Sequence, residues 1–246
     1  MNPFVNIHTH HSNYIDSEEF VEIQNIDIDN IANADVFRFY SVGVHPWDVE
    51  RWSTENGQQP LSQNLRISGF QDFRNSGAQQ FGDLVTWSLG EFKILAIGEC
   101  GLDRACNVDF EKQKEVFIKQ ISLSEQYAKP LIIHAVRSYP DIISIRKETK
   151  ARQPWIIHGF QGNEQSAVQL LRNGVFLSLG DVLFKNEVRA KRLLQVIPLD
   201  RLFFETDVAE RKIIDVYEKA ASLSGVEMEK LRNDIFNNFV KIFGQI

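Results

Sequence analysis

Short apolar runs rich in β-branched and aromatic residues recur along this chain, each bounded by Gly, Pro or Asp and followed by a polar or helix-patterned stretch. Eight of them read as strands: FVNIHTH at 4–10, VEIQNIDI at 21–28, RFYSVGVHP at 38–46, ILAIGECGLD at 94–103, PLIIHAV at 130–136, PWIIHGF at 154–160, GVFLSLG at 174–180 and RLFFETD at 201–207. Between several of them the period changes to that of a helix. In the clearest case, Asp109 to Lys129, the residues Phe110, Phe117, Ile121 and Ala128 fall on one face. Strands that alternate with helices pair in parallel. Eight such units predict an α/β fold, a (β/α)8 TIM-type barrel. An open doubly wound sheet is the alternative, although no glycine-rich nucleotide loop follows any strand.

One stretch interrupts the rhythm. Residues 53–82, rich in Gln, Asn, Ser and Gly, form a polar insertion after the third strand. In a barrel it would overhang the C-terminal face, as a lid or as a surface addition without a role. The segment from Ile213 to Phe243 reads as helices that close the barrel. At 246 residues, all of 1–246 is expected to form a single domain.

All six histidines lie within or directly after a proposed strand: His8, His10 and His11 on the first, His45 on the third, His134 on the fifth and His158 on the sixth. His8 and His10 are two apart, so strand alternation puts both on one face, roughly 7 Å apart at Cα. His11 points the other way and is left out of the site. Glu99 closes the apolar run ILAIG, where a carboxylate is expensive unless paired or bound to a cation. His134 and His158 follow LII and WII at matching depth, and Asp207 closes RLFFETD. Glu205, on the same face two residues before Asp207, is read as a partner inside the barrel. His8, His10, Glu99, His134, His158 and Asp207 are thus candidate ligands for two divalent metal ions, Zn2+, Mn2+ or Mg2+. Such a pair, about 3.5–4 Å apart, can hold a bridging hydroxide and clamp both oxygens of a displacement.

With these residues placed, the sequence resembles the TatD family of metal-dependent hydrolases, within the wider amidohydrolase-like barrels. NIHTH resembles the family's D-x-H-x-H, GVHPWD its G-I-H-P-x-D, GECGLD its G-E-x-G-L-D, LIIHAVR its H-x-R, IIHGFQG its H-x-F-x-G and FFETD its closing E-T-D. The resemblance implies that His8, His10 and Asp207 hold one metal, that Glu99 bridges both, and that His134 and His158 hold the second. It also implies phosphodiester cleavage, chiefly at DNA ends. Three positions depart from the family: Asn6 stands where Asp is usual, Arg137 is displaced by one residue from H-x-R, and VAERKIID replaces the segment that follows the last Asp in relatives. The last departure leaves DNA open as the natural substrate.

The expected activity is hydrolysis of a phosphoester, with Glu99 and Asp207 catalytic and with His45 and Arg137 binding phosphate. Amide or lactone hydrolysis at the same site, and a non-catalytic metal-binding barrel, are the alternatives. A net charge of -6 argues against non-specific coating of a polyanion, so any nucleic-acid contact would be local, with Trp47, Phe160 or the insertion available for base stacking. Trp47 reads equally as a packing residue. No run of about eighteen apolar residues marks a membrane span, and no basic, then apolar, leader opens the chain. With two cysteines, Cys100 and Cys106, read as reduced thiols, a cytoplasmic location is expected.

Overall fold

The computed structural model describes residues 1–11, 18–27, 34–35, 37–51 and 92–245. The eight expected strands form: β1 (Phe4–Thr9), β2 (Phe20–Asp27), β3 (Phe39–Gly43), β4 (Lys93–Asp103), β5 (Leu131–Val136), β6 (Trp155–Ile157), β7 (Val175–Leu179) and β8 (Leu202–Phe204). They lie in chain order in one sheet, every neighbouring pair parallel. The sheet curls round until Thr9 bridges Asp207, with the His10 N–H donating to the Asp207 carbonyl at 3.0 Å and the Asp207 N–H to that of His8 at 3.1 Å. This is the TIM-type barrel, and the open sheet is excluded. The polar insertion at 53–82 lies outside the described residues.

Helices follow the later strands: α1 (Phe110–Tyr127), α2 (Tyr139–Thr149), α3 (Glu164–Arg172), the pair α4 (Val182–Lys185) and α5 (Glu187–Val196), then α6 (Ile213–Ser224) and α7 (Met228–Phe243) after β8. Among the described residues none is long and apolar enough to cross a membrane. Asp109 caps α1 by accepting from the Lys112 N–H at 2.8 Å. Phe117 and Ile121 are buried as the periodicity predicts, and Phe110 is half-buried. Ala128 is not on that face; it terminates the helix in the left-handed region (φ 51°) and faces solvent.

Strands β4 to β8 are almost wholly buried aliphatic and aromatic chain. Each fully buried Ile, Leu or Phe is worth about 1.5–3 kcal/mol, so this part of the barrel dominates the fold. Two glycines let β4 fit between its neighbours. A Cβ on Gly98 (φ +152°) would sit 2.5 Å from the Ile132 carbonyl oxygen, and one on Gly101 (φ +134°) 2.1 Å from that of His134. They bracket Glu99, so the close approach of β4 to β5 also brings that carboxylate up to His134.

Among the described residues β8 and β1 form no ladder, only the Thr9–Asp207 bridge beyond the end of β8. Tyr217 of α6 covers part of the gap. Its fully buried hydroxyl accepts from the Val5 N–H at 3.2 Å and donates to the Val5 carbonyl at 3.1 Å. Deeper in, the Asn6 amide donates to Thr206 Oγ1 at 2.9 Å and accepts from the Thr206 N–H at 3.1 Å. In Tyr217→Phe two buried backbone groups lose their partner. The variant is expected to lose about 1–3 kcal/mol, seen as a lower urea midpoint at unchanged slope; an unmoved midpoint would show that the edge of β1 is satisfied without the hydroxyl.

Candidate metal centre

The buried polar residues collect at the C-terminal ends of the strands, the face that barrel enzymes use. β1 brings His8 and His10 there with ring centroids 5.1 Å apart. A bulge in β1 between Asn6 and Thr9 intervenes. The Asp207 backbone is stapled between the two histidines by the closing bridge and takes a left-handed conformation (φ 53°). His8 Nε2 then lies 3.5 Å from Glu99 Oε2 and 3.6 Å from Asp207 Oδ1, and His10 Nε2 lies 3.4 and 3.6 Å from the same two atoms. These separations are long for hydrogen bonds. Four donors placed tetrahedrally about 2.1 Å from one divalent ion would stand about 3.4 Å apart. The residues present fit a cation.

A second group converges on the other oxygen of the same carboxylate. Glu99 Oε1 is 2.8 Å from His158 Nε2, 2.9 Å from His134 Nδ1 and 3.2 Å from His45 Nε2. The Glu99 N–H donates to Asn25 Oδ1 at 2.8 Å, which fixes the start of the side chain. Behind His134, Asp103 Oδ2 lies 3.2 Å from Nε2, leaving Nδ1 facing Glu99. Behind His158, Glu205 Oε1 accepts from the Gly159 N–H and lies 3.5 Å from Nδ1. Helix α1 sets two of these positions with buried glutamines. Gln120 clamps the backbone of Val44, next to His45, and Gln113 clamps that of Asp103.

The electrostatics follow from this crowding. Burial alone would raise the Glu99 carboxyl, but His158, His10 and His134 hold it well below the usual carboxylate range. Burial opposes charge on His158, yet the Glu99 and Glu205 carboxylates push its pKa well above the ordinary histidine value. His8 also ends above that value, through Asp207 and Glu99, against burial and the neighbouring His158. Burial works against the Asp207 charge as well, and His8 and His158 bring that carboxyl below its usual range. Both ring nitrogens of the fully buried His8, Nδ1 of His158 and Oε2 of Glu205 have no hydrogen-bond partner among the described residues. Buried imidazole nitrogens without partners beside carboxylate oxygens are what a bound cation satisfies.

All six residues singled out as ligands from the sequence meet here. Donor atoms of His8, His10 and Asp207 lie within 4.8 Å of one another, as do those of His8, Glu99 and His158, of His45, Glu99 and His134, and of His158, Glu205 and Asp207. His45, expected on the substrate, is as close to Glu99 as the candidate ligands are. Arg137 is not brought to the site: it is exposed and does not line the cavity above the cluster. The extra residue between it and His134 removes it from the face that His134 occupies. His11 is exposed, as alternation predicts. Sequence reasoning missed Asp103, although it closes GECGLD, and Asn25, whose polar neighbours in β2 gave no signal. The cavity, about 890 Å3, is lined by His10, Asn25, His45, Glu99, His134 and Asp207, among others.

The chain is similar to known proteins of one family. The profile of the family described as TatD related DNase matches residues 8–244. A relative from Escherichia coli K12, the uncharacterized metal-dependent hydrolase YcfH, is 30% identical over 203 residues, covering 76% of this chain and 72% of its own. A 3′-5′ ssDNA/RNA exonuclease TatD from Cronobacter sakazakii is 28% identical over 171 residues, 68% of this chain and 56% of that protein. Among solved structures, the TatD homologue YJJV of Escherichia coli superposes with a TM-score of 0.71 over 99% of this chain and 98% of its own, at 18% identity. The chain belongs to the TatD family of metal-dependent hydrolases.

Proposed function

We propose that the protein hydrolyses phosphodiesters, with nucleic-acid ends as substrate, at a centre of two divalent ions. One observation carries this reading: the two oxygens of the buried Glu99 carboxylate face two separate sets of donors. His8 and His10 lie 3.5 and 3.4 Å from Oε2 and 3.6 Å from the neighbouring Asp207 Oδ1, and His134, His158 and His45 gather at Oε1. His8, His10 and Asp207 would hold one ion, His134 and His158 the other, and Glu99 would contribute a carboxylate oxygen to each. Zn2+ or Mn2+ suits the histidine-rich set, and Mg2+ remains compatible. Ions bound there activate water and neutralise the charge that builds on phosphoryl oxygens.

The chain's own groups do the rest. Asp207 is half-buried, the most accessible carboxylate of the cluster, at the cavity wall, and its depressed pKa keeps it ionised and able to accept the proton of the attacking water at its side-chain oxygen. Glu99, buried and ionised, sets the spacing of the two donor groups. Asp103 holds the His134 ring so that Nδ1 faces inward. His45, partly exposed in the wall, is placed to bind a phosphate oxygen. Arg137 has no part in this reading, since it lies off the cavity wall. The Cronobacter relative, described as an exonuclease on ssDNA and RNA, supports nucleic acid as the substrate class.

Two outcomes test the reading. Chelation of the purified protein is expected to lower its melting temperature by about 5–10 °C, the loss of about 2.7 kcal/mol that an ion held at a hundredfold its Kd supplies. Glu99→Ala should melt at the same temperature with and without chelator. On single-stranded DNA with restored Zn2+, Mn2+ or Mg2+, Asp207→Asn is expected to lower kcat by about 10²- to 10⁴-fold, and Glu99→Ala and His134→Ala to abolish turnover. Cleavage of amides or lactones but of no phosphodiester would move the protein to the other hydrolase class. Tight metal binding without any turnover would make it a binding scaffold.

A further inference from the structure

The cavity wall carries a large aromatic group that the donor clusters do not use. Trp47 lines the cavity and is 58% exposed, whereas the other aromatic side chains of the family motifs, Phe160, Phe203 and Phe204, are fully buried, Phe160 against Tyr139. An exposed indole ordinarily samples several rotamers, but this one is held at its ring nitrogen and by a ring contact, and its main chain is tied as well. Its Nε1–H donates to Asp103 Oδ2 at 2.7 Å, its ring meets that of His45 edge-on at 4.7 Å and 82°, and its backbone N–H donates to His45 Nδ1 at 3.2 Å. Asp103 is itself anchored, accepting from the Ala105 N–H at 2.7 Å and lying 3.2 Å from His134 Nε2. A flat apolar face therefore stands open to solvent in a fixed orientation, beside two of the residues that face Glu99. The ordering that a ligand would otherwise impose on it is already in place.

The charges around the cavity point the same way. Among the described residues that line it, Arg38 is the sole Arg or Lys, and it faces Asp35 at 3.8 Å. Asp35 and Asp48 add negative charge to the wall. A polyanion gains little from this surface beyond what ions at the centre provide, so the rest of the substrate must be held by contacts that need no positive charge. Stacking on an aromatic face is such a contact and tolerates any base. Trp47 also occupies the position that the motif G-I-H-P-x-D leaves open, where a choice of side chain can set specificity.

We propose that Trp47 is the stacking platform for the nucleobase next to the scissile phosphate. On this view the substrate is a base-bearing nucleotide chain and not a phosphoester of any kind, a step that rests on the hydrolase reading above. A competing role, in which Trp47 only positions Asp103 and through it His134, predicts different kinetics.

The two are separated by oligonucleotides of equal length and charge, one bearing bases throughout and one with abasic residues on both sides of the cleaved phosphate, assayed with the metal that supports activity. Wild type is expected to favour the base-bearing chain by roughly 10- to 100-fold in kcat/KM. Trp47→Phe, which keeps a ring without the indole N–H, should retain most of that preference. Trp47→Ala should reduce it to near unity, through KM on the base-bearing chain. A preference that survives Trp47→Ala overturns the proposal, as does an equal loss of kcat on both chains in the Phe and Ala variants. Wild-type cleavage of both chains at equal rates removes the stacking role and leaves the hydrolase reading intact, whereas cleavage of neither removes both.

Discussion

Burial works against the charge of a carboxylate that stands alone and drives it toward the protonated form. Glu99 keeps its charge through imidazoles delivered by three different strands or their ends: His158 beyond β6, His10 from β1 and His134 from β5. The histidines depend on the carboxylates in the same way, since His8 and His158 are buried and raised in pKa, His8 by Asp207 and Glu99 and His158 by Glu99 and Glu205. Neither partner is reasonable in that place without the other. The remainder of the barrel mouth is arranged to hold this mutual requirement.

That arrangement is chiefly backbone work. Gly98 and Gly101 carry no Cβ where β4 meets the Ile132 and His134 carbonyl oxygens, so the strand can approach β5 closely around Glu99. The bridge that closes the barrel passes through His8, His10 and Asp207, so one set of hydrogen bonds both joins first strand to last and assembles a donor group. Closure and site are one structural event. Helix α1 contributes from outside, where Gln113 and Gln120, polar residues inside a buried helix face, tie down the strand ends that carry Asp103 and lead to His45.

Replacement of the family's usual Asp by Asn6 is absorbed locally. Asn6 donates to Glu22 of β2 at 3.0 Å as well as to Thr206, and β1–β2 register places Asn6 directly beside Glu22. A carboxylate is still present one strand away, and an amide pairs with it where a second carboxylate would repel it. Asn6 lies in the wall beneath the donors and is not among the residues grouped around a cation position.

The sequence by itself determined the eight strands and the residues that end them, because a two-residue alternation and a closing His, Glu or Asp are properties of each short segment alone. It also determined that His11 turns away from His10. What it did not determine is anything that depends on how far one segment lies from another. The Gln clamps of α1, the Tyr217 hydroxyl on Val5, the place of Asp103 behind His134 and the exposure of Trp47 against the burial of Phe160 are set by register and curvature, which join residues far apart in the chain. Arg137 shows the boundary between the two. Its type and neighbourhood suit a phosphate, but one added residue removes it from the site, and whether that residue is taken up in the turn is decided only when the barrel closes.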